Sequence, residues 1–310
     1  MYHYVRPIAS SRYPGIKGLE YNDFQQQIDF FTENFNIVSA DDVCDALDGK
    51  TNLPPRAMLL TFDDGYRDHF DYVLPVLMKY NIRGVFAMPA KILAERRLLD
   101  VNKVHFILAA ADYKDIIVEL KQLIGYYRGK EFDIPSFEDL FAQYAHAFRW
   151  DSAEVIFIKR ILQTGLPERL RNILADELFD RFVHISEDIF INDLYLTMEQ
   201  VQMMKNCGMT WGVHGYEHNW IGKLNPVEMQ NDINKALDFF KDVLDEKWYM
   251  CFPYGSANAE SIDYIRKKGA GWGVSTECRI ADLKCDDRFF LPRLDTNDFP
   301  PKSDNYLNIQ

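Results

Sequence analysis

Met58-Leu59-Leu60-Thr61-Phe62-Asp63-Asp64-Gly65 is the stretch that decides the reading of this chain. Its first five residues read as a buried strand, and Asp-Asp-Gly ends it. Successive strand side chains point to opposite faces, so two adjacent carboxylates converge only where the strand stops. Gly65 permits the tight turn that brings them together. Paired carboxylates repel unless a cation or a shared proton lies between them, and a metal is the simplest answer. The plain alternative is a solvated Asp-Asp-Gly turn, which the buried strand before it weakens.

Outward from this stretch, strands alternate with helices. Phe24, Ile28, Phe31 and Phe35 recur at helical spacing before it. After it comes a helix carrying Val73, Leu74, Leu77 and Tyr80, with Pro75 either near its first turn or kinking it, and then a strand at Gly84–Met88. The rhythm returns late in the chain. Thr197-Met198-Glu199-Gln200 is a capping box opening a helix that stops at Gly208. A strand, Met209–Val213, runs into His214. Asn225-Pro226 starts another helix, followed by strand Trp248–Phe252, a helix ending near Gly269 and strand Gly271–Ser275. Such alternation implies a parallel sheet with functional residues at the carboxyl ends of strands, where Asp63, His214 and Tyr254 all fall. Residues 93–194 show helical periods only, as in Ile116, Leu120, Leu123 and Ile124. They read as a helical insertion within a discontinuous barrel of residues 1–92 and 195–310, serving as packing, a lid or an oligomerisation element.

Composition excludes several classes. The 310 residues carry 35 basic and 47 acidic side chains, a net charge of −12, so no basic excess exists to displace phosphate counterions and no nucleic-acid partner is expected. No apolar run reaches the ~18 residues of a membrane span. Cys44, Cys207, Cys251, Cys278 and Cys285 form no Cys-x-x-Cys pair, which argues against a zinc ribbon or a dithiol redox centre. Reduced thiols, together with an opening MYHYVRPIAS that lacks the order of a signal peptide, set the expectation of a cytoplasmic protein.

His214-Gly215-Tyr216-Glu217-His218 supplies two imidazoles four residues apart, on one helical turn or a tight loop. That spacing can aim both at one ion. Alone it is a weak signal; joined to Asp63-Asp64 it is strong. One carboxylate with two imidazoles leaves coordination positions open, which suits a catalytic divalent metal, zinc foremost, rather than a structural one.

Thr61-Phe62-Asp63-Asp64-Gly65, His214-Gly215-Tyr216-Glu217-His218 and Phe252-Pro253-Tyr254-Gly255, in this order and on these strands, resemble the polysaccharide deacetylases of carbohydrate esterase family 4. The resemblance covers about residues 1–92 and 195–300, with the helical stretch outside it. It implies a distorted (β/α) barrel of the α/β class and metal-dependent removal of N-acetyl groups from amino sugars. Carried onto this chain, it implies that Asp64, His214 and His218 bind the metal, that a water held there attacks, and that Asp63 is the base. The segment before Pro253 would line the acetyl pocket, with the Tyr254 backbone N–H donating to the oxyanion.

Two positions depart from the family. Where its third motif has an Arg that orients the catalytic Asp, this chain has Cys251; Arg293, in Leu291-Pro292-Arg293, is the candidate replacement, against an ordinary surface ion pair. No His follows His218 to act as acid, which leaves His3, His69, His105, His146 and His184. Tyr2-His3-Tyr4-Val5 resembles the amino-terminal strand of members with permuted motif order, so His3 is the expected acid and His69 the second candidate. The expected substrate is an amino sugar in a surface-glycan precursor. Lys91, Arg96 and Arg97 could hold a diphosphate, or be a solvated basic cluster. The competing readings are a related C–N hydrolase acting on a cyclic imide or N-formyl group, a non-catalytic carbohydrate-binding barrel, and a structural oligomer.

Overall fold

The computed structural model describes residues 1–148 and 151–309. Among the described residues nine strands form, all in parallel pairings: β1 (Val5–Arg6), β2 (Leu19–Glu20), β3 (Asn36–Ile37), β4 (Ala57–Met58), β5 (Thr61–Phe62), β6 (Val85–Met88), β7 (Thr210–Val213), β8 (Tyr249–Cys251) and β9 (Trp272–Val274). β5 to β9 make one sheet in sequence order, while β1 pairs with β2 and β3 with β4. Helices follow the strands, and the sheet curls as the half-barrel of an α/β barrel fold. Single bridges extend it at both margins: Tyr2 lies beside Phe62, and Leu291 lies beside Val274.

The stretch 58–62 is not one strand. The Met58 carbonyl accepts from the Val38 N–H (2.9 Å), on the side of β3, whereas the Leu60 carbonyl accepts from Val85 (3.0 Å), on the side of β6. The extended segment therefore changes partners midway, which a one-dimensional apolar pattern does not reveal. Other elements follow the sequence closely. The Thr197–Gln200 box caps helix Met198–Asn206, and Asn225 with Glu228 caps Pro226–Phe240. Pro75 enters a short α-helix, Leu74–Lys79, directly after a π-helical turn, His69–Val73. Proline supplies no N–H, so the register can change there without losing a bond.

Period-two alternation divides the sheet into two faces. Phe62, Phe86 and Trp211 occupy adjacent positions on one face, with Phe62 stacked on Phe86 at 4.7 Å. All three are buried. On the opposite face, Val85, Ala87, Tyr249, Cys251, Trp272, Val274 and Leu291 form a continuous apolar cluster. Tyr249 lies over Gly212, where any Cβ would overlap its ring. Asp63, His214 and Arg293 each stand two residues beyond a member of this second face, at the carboxyl ends of their strands or extensions.

The chain divides into two compact units: residues 1–7, 18–97 and 191–310 in one, and residues 8–17 with 98–190 in the other. The second unit holds helices Asp100–Ala110, Tyr113–Tyr127, Phe137–Tyr144, Ala153–Arg160 and Glu168–Val183. Its Lys103, fully buried, is ion-paired with Asp176 (2.5 Å) and Glu187 (3.1 Å). Residues 8–17 belong to this unit, outside the 93–194 boundary expected from the sequence.

At Gly65 the backbone is left-handed (φ +68°), and a Cβ would overlap the Met88 side chain. Gly65→Ala is expected to destabilise the protein by about 3 kcal/mol through dihedral strain and overpacking; urea unfolding measures this, and a change below about 0.5 kcal/mol, the usual size for surface substitutions, would contradict it.

Candidate metal centre and catalytic residues

Asp63 sits on the inward face by parity, and Asp64, one residue on, would point away. It does not, because its backbone adopts φ +75° and turns the carboxylate back toward the same mouth. His218 (φ +60°) and Tyr254 (φ +56°) are also left-handed. Each such residue costs roughly 1–2 kcal/mol, so three clustered here mark a site that its surroundings force into shape.

Asp64, His214 and His218 are buried, with one ligand atom from each within 4.8 Å of the others. Asp64 Oδ1 stands 3.2 Å from His214 Nε2 and 3.4 Å from His218 Nε2. Despite these distances, Oδ1 is buried without a hydrogen-bond partner of acceptable geometry. His214 Nδ1–H donates to the Cys251 carbonyl (2.7 Å), so Nε2 is the ring nitrogen that faces the carboxylate oxygen. A proton on His214 Nε2, or a cation in its place, satisfies this buried oxygen, and a cation can be shared with His218 as well. Two ligands on a tetrahedral zinc are about 3.3 Å apart, matching both separations. The donor set therefore fits a divalent ion. Burial opposes charge on both rings; at His218 it prevails and lowers the pKa. At His214 the Cys251 thiol and the Asp64 carboxylate outweigh it and raise the pKa well above the ordinary value.

Asp63, His214 and Cys251 form a second close group. Its cation is already present as Arg293. The guanidinium donates to Asp63 Oδ1 (2.9 Å) and Oδ2 (2.8 Å), to Thr61 Oγ1 (3.0 Å), to the Ser275 carbonyl (2.8 Å) and to Cys251 Sγ (3.4 Å). At 8 % exposure, Arg293 is no surface pair. Burial pushes the Asp63 pKa up, but the Arg293 charge outweighs it and holds the carboxyl well below the usual range.

His3 reaches the same carboxylate from the other margin of the sheet. Tyr2 N–H donates to the Thr61 carbonyl and Asp63 N–H to the Tyr2 carbonyl, setting His3 Nε2 4.0 Å from Asp63 Oδ2 with 43 % of its side chain exposed. His69 is different. It is wholly buried, and its Nε2–H donates to the His3 carbonyl (2.9 Å), so it fixes the backbone of His3. Burial lowers its pKa to about 4, so at neutral pH it is no imidazolium and its one N–H is committed to the His3 carbonyl. His105, His146 and His184 belong to the helical unit.

Tyr254 lies in the turn Pro253–Gly255, its ring edge-on to His218 (4.6 Å) and stacked on Trp220 (4.4 Å). Lys91 is ion-paired with Glu217 (3.0 Å), and Arg96 donates to Asn192 (2.8 Å). The loop 214–218 is a tight loop, not a helical turn. Asp232, buried on helix Pro226–Phe240, accepts from the Tyr216 N–H (2.8 Å) and the Glu217 N–H (3.1 Å), while Gly215 leaves room for its carboxylate. Sequence reasoning missed Asp232, and also Tyr66, which donates to Asp64. An acid within Asn231-Asp232-Ile233-Asn234 carries no local mark of this role.

The family model for polysaccharide deacetylases matches residues 50–118 and 169–271, more than half of the chain. The chain belongs to that family and is a hydrolase of the carbohydrate deacetylase class. No curated protein matches it. Similar solved structures include the Streptococcus pyogenes deacetylase PplD, in complex with acetate (15 % identity, TM-score 0.59, 99 % of this chain and 94 % of that one). IcaB from Ammonifex degensii gives 18 %, 0.57, 98 % and 94 %. A de-N-acetylase from Aggregatibacter actinomycetemcomitans gives 19 %, 0.57, 98 % and 97 %. The matches correct one expectation: the likeness does not stop at residue 92 and resume at 195. The family model enters the helical stretch from both ends, and the fold-level match runs through it. Helical segments are specified by pattern rather than spelling, so no motif announces them.

His69 yields a pH prediction. Between pH 6.5 and about 4 the unfolded chain binds a proton that the folded chain excludes, so stability falls as pH falls through this window. The contribution is about 3 kcal/mol. His69→Gln keeps a donor for the His3 carbonyl without titrating; its stability should change less over this window in denaturant melts, and an identical loss would contradict the assignment.

Proposed function

We propose that this protein removes the N-acetyl group of an amino sugar, with Asp64, His214 and His218 holding a divalent cation, zinc foremost, Asp63 as general base and His3 as general acid. The observation that carries this reading is the meeting of Arg293 and His3, from opposite margins of the sheet, on the carboxylate adjoining the Asp64–His214–His218 cluster. The name of the Aggregatibacter neighbour, a de-N-acetylase, agrees with it.

When bound, the cation would polarise the acetamide carbonyl and acidify the water beside it. The remaining work belongs to side chains. Asp63 stays ionised at neutral pH because Arg293 holds it so, and it takes the proton of the attacking water on an oxygen whose second lone pair the guanidinium leaves open. A carboxylate this acidic is a weak base, so it depends on that acidified water. The developing oxyanion has the Tyr254 backbone N–H as its protein donor, worth about 3 kcal/mol where well placed. His3, 4.0 Å from Asp63 and beyond hydrogen-bond length, keeps its Nε2–H for the departing amine. Without that proton the amine is a poor leaving group. The placement of Arg293 and His3 on Asp63 supports the catalytic reading over a non-catalytic binding barrel, since binding alone needs neither an orienting cation nor an acid there. The substrate is an N-acetylated sugar of a surface glycan or its precursor; a free-acetate assay over nucleotide-linked, lipid-linked and polymeric sugars, with cyclic imides and N-formyl compounds alongside, tests that assignment.

Asp63→Asn should retain zinc while losing about a hundredfold or more in turnover. His214→Ala should lose the metal by elemental analysis; unchanged metal content would refute its assignment as a ligand. For His3→Ala the turnover loss should shrink on substrates with better leaving groups. Equal losses on good and poor leaving groups would point to a structural role for His3.

A further inference from the structure

The two oxygens of Asp64 have different surroundings. Oδ1 faces both imidazoles, whereas Oδ2 accepts a hydrogen bond from the Tyr66 hydroxyl at 2.7 Å. Tyr66 is wholly buried, and its ring stacks against Tyr4 (4.0 Å) and Tyr195 (6.2 Å). Its backbone is bridged to Tyr195, the neighbouring Gly65 carbonyl accepts from Leu196, and Arg67 N–H donates to Leu194. The packed ring and the backbone pinned on both sides hold this hydroxyl at Asp64 Oδ2.

We propose that Tyr66 is a positioning residue that restricts Asp64 to binding the cation through Oδ1 alone, and thereby sets the affinity and coordination number of the site. This rests on the reading of Asp64, His214 and His218 as ligands. A carboxylate can bind a metal through one oxygen or both, and the choice depends on whether the second oxygen is free to rotate inward. Here the Tyr66 hydroxyl engages Oδ2 while Oδ1 is the oxygen close to both imidazoles. Two nitrogens and one oxygen then make up the protein's share of the coordination, leaving positions for water and the substrate carbonyl. Without the hydroxyl, Oδ2 would be a buried acceptor lacking that partner, and turning toward the ion would satisfy it.

The test compares the wild-type protein with Tyr66→Phe after metal removal, by zinc titration against a chromophoric chelator and by the visible spectrum of the cobalt(II)-loaded protein. Zinc affinity should fall about 10- to 100-fold, and the cobalt bands should weaken as a second oxygen joins the ion. Equal affinity and an unchanged cobalt spectrum would overturn the proposal. If the wild type takes up neither zinc nor cobalt, the metal reading itself fails, an outcome separate from a wild type that binds and a variant that binds equally well. Should Tyr66→Phe fold poorly, a matched pair replaces it: 4-aminophenylalanine at position 66 keeps a donor, and 4-methylphenylalanine fills similar space without one. The first should bind zinc more tightly than the second; parity between them would overturn the proposal.

Discussion

The Arg293–Asp63 pair joins the two ends of the curled sheet. Asp63 follows β5, its first strand, and Arg293 follows the Leu291 extension beyond β9, its last. Five donor contacts from one buried guanidinium reach Thr61, Asp63, Cys251 and Ser275, which lie on or just beyond three different strands. A buried ion pair is a modest source of net stability, because desolvation offsets much of the attraction. Its consequence here is positional. Removing either partner would strand the other in an apolar interior, so the geometry persists only with both present, and both oxygens of Asp63 are held in one plane by a bidentate fork.

Everything at the mouth is arranged around that fixed carboxylate. Cys251 leaves space that a longer side chain would fill, and the guanidinium occupies it from another part of the chain. His3 arrives on the opposite side because its neighbours extend β5, and His69 secures the His3 carbonyl from below. The left-handed backbone at Asp64, His218 and Tyr254 costs free energy locally. The offsetting contacts are visible: Tyr66 on Asp64, Asp232 on the loop before His218, and the Trp220 stack on Tyr254. Asp232 and Trp220 come from segments distant in sequence from the residues they hold; Tyr66 is a neighbour of Asp64.

Much of the fold was legible because its signals are local. Capping boxes at Thr197 and Asn225 and the apolar runs at 85–88, 210–213 and 249–251 depend on neighbours within a few positions. The run at 58–62 misled as a single strand, since hydropathy registers burial and not which partner a carbonyl bonds. Arg293 was reachable only by elimination, through the missing arginine at Cys251. Asp232 and Tyr66 were out of reach. An acid on a capped helix and an aromatic after Asp-Asp-Gly are spelled as any surface acid or core ring would be.

The sequence by itself determined the alternation of strands and helices, the placement of Asp63 and His214 at the carboxyl ends of strands, and the likeness to the polysaccharide deacetylases. Those follow from period-two and period-3.6 patterns, turn glycines and short motifs, all of which act over a few residues. Only the tertiary structure decided which arginine holds Asp63, that His69 supports His3, that the 214–218 loop hangs from Asp232, and which oxygen of Asp64 faces the imidazoles. Each depends on contacts between segments far apart in the chain, and on dihedral angles at single residues that reverse a side chain's direction. Neither leaves a periodic trace in a string of letters.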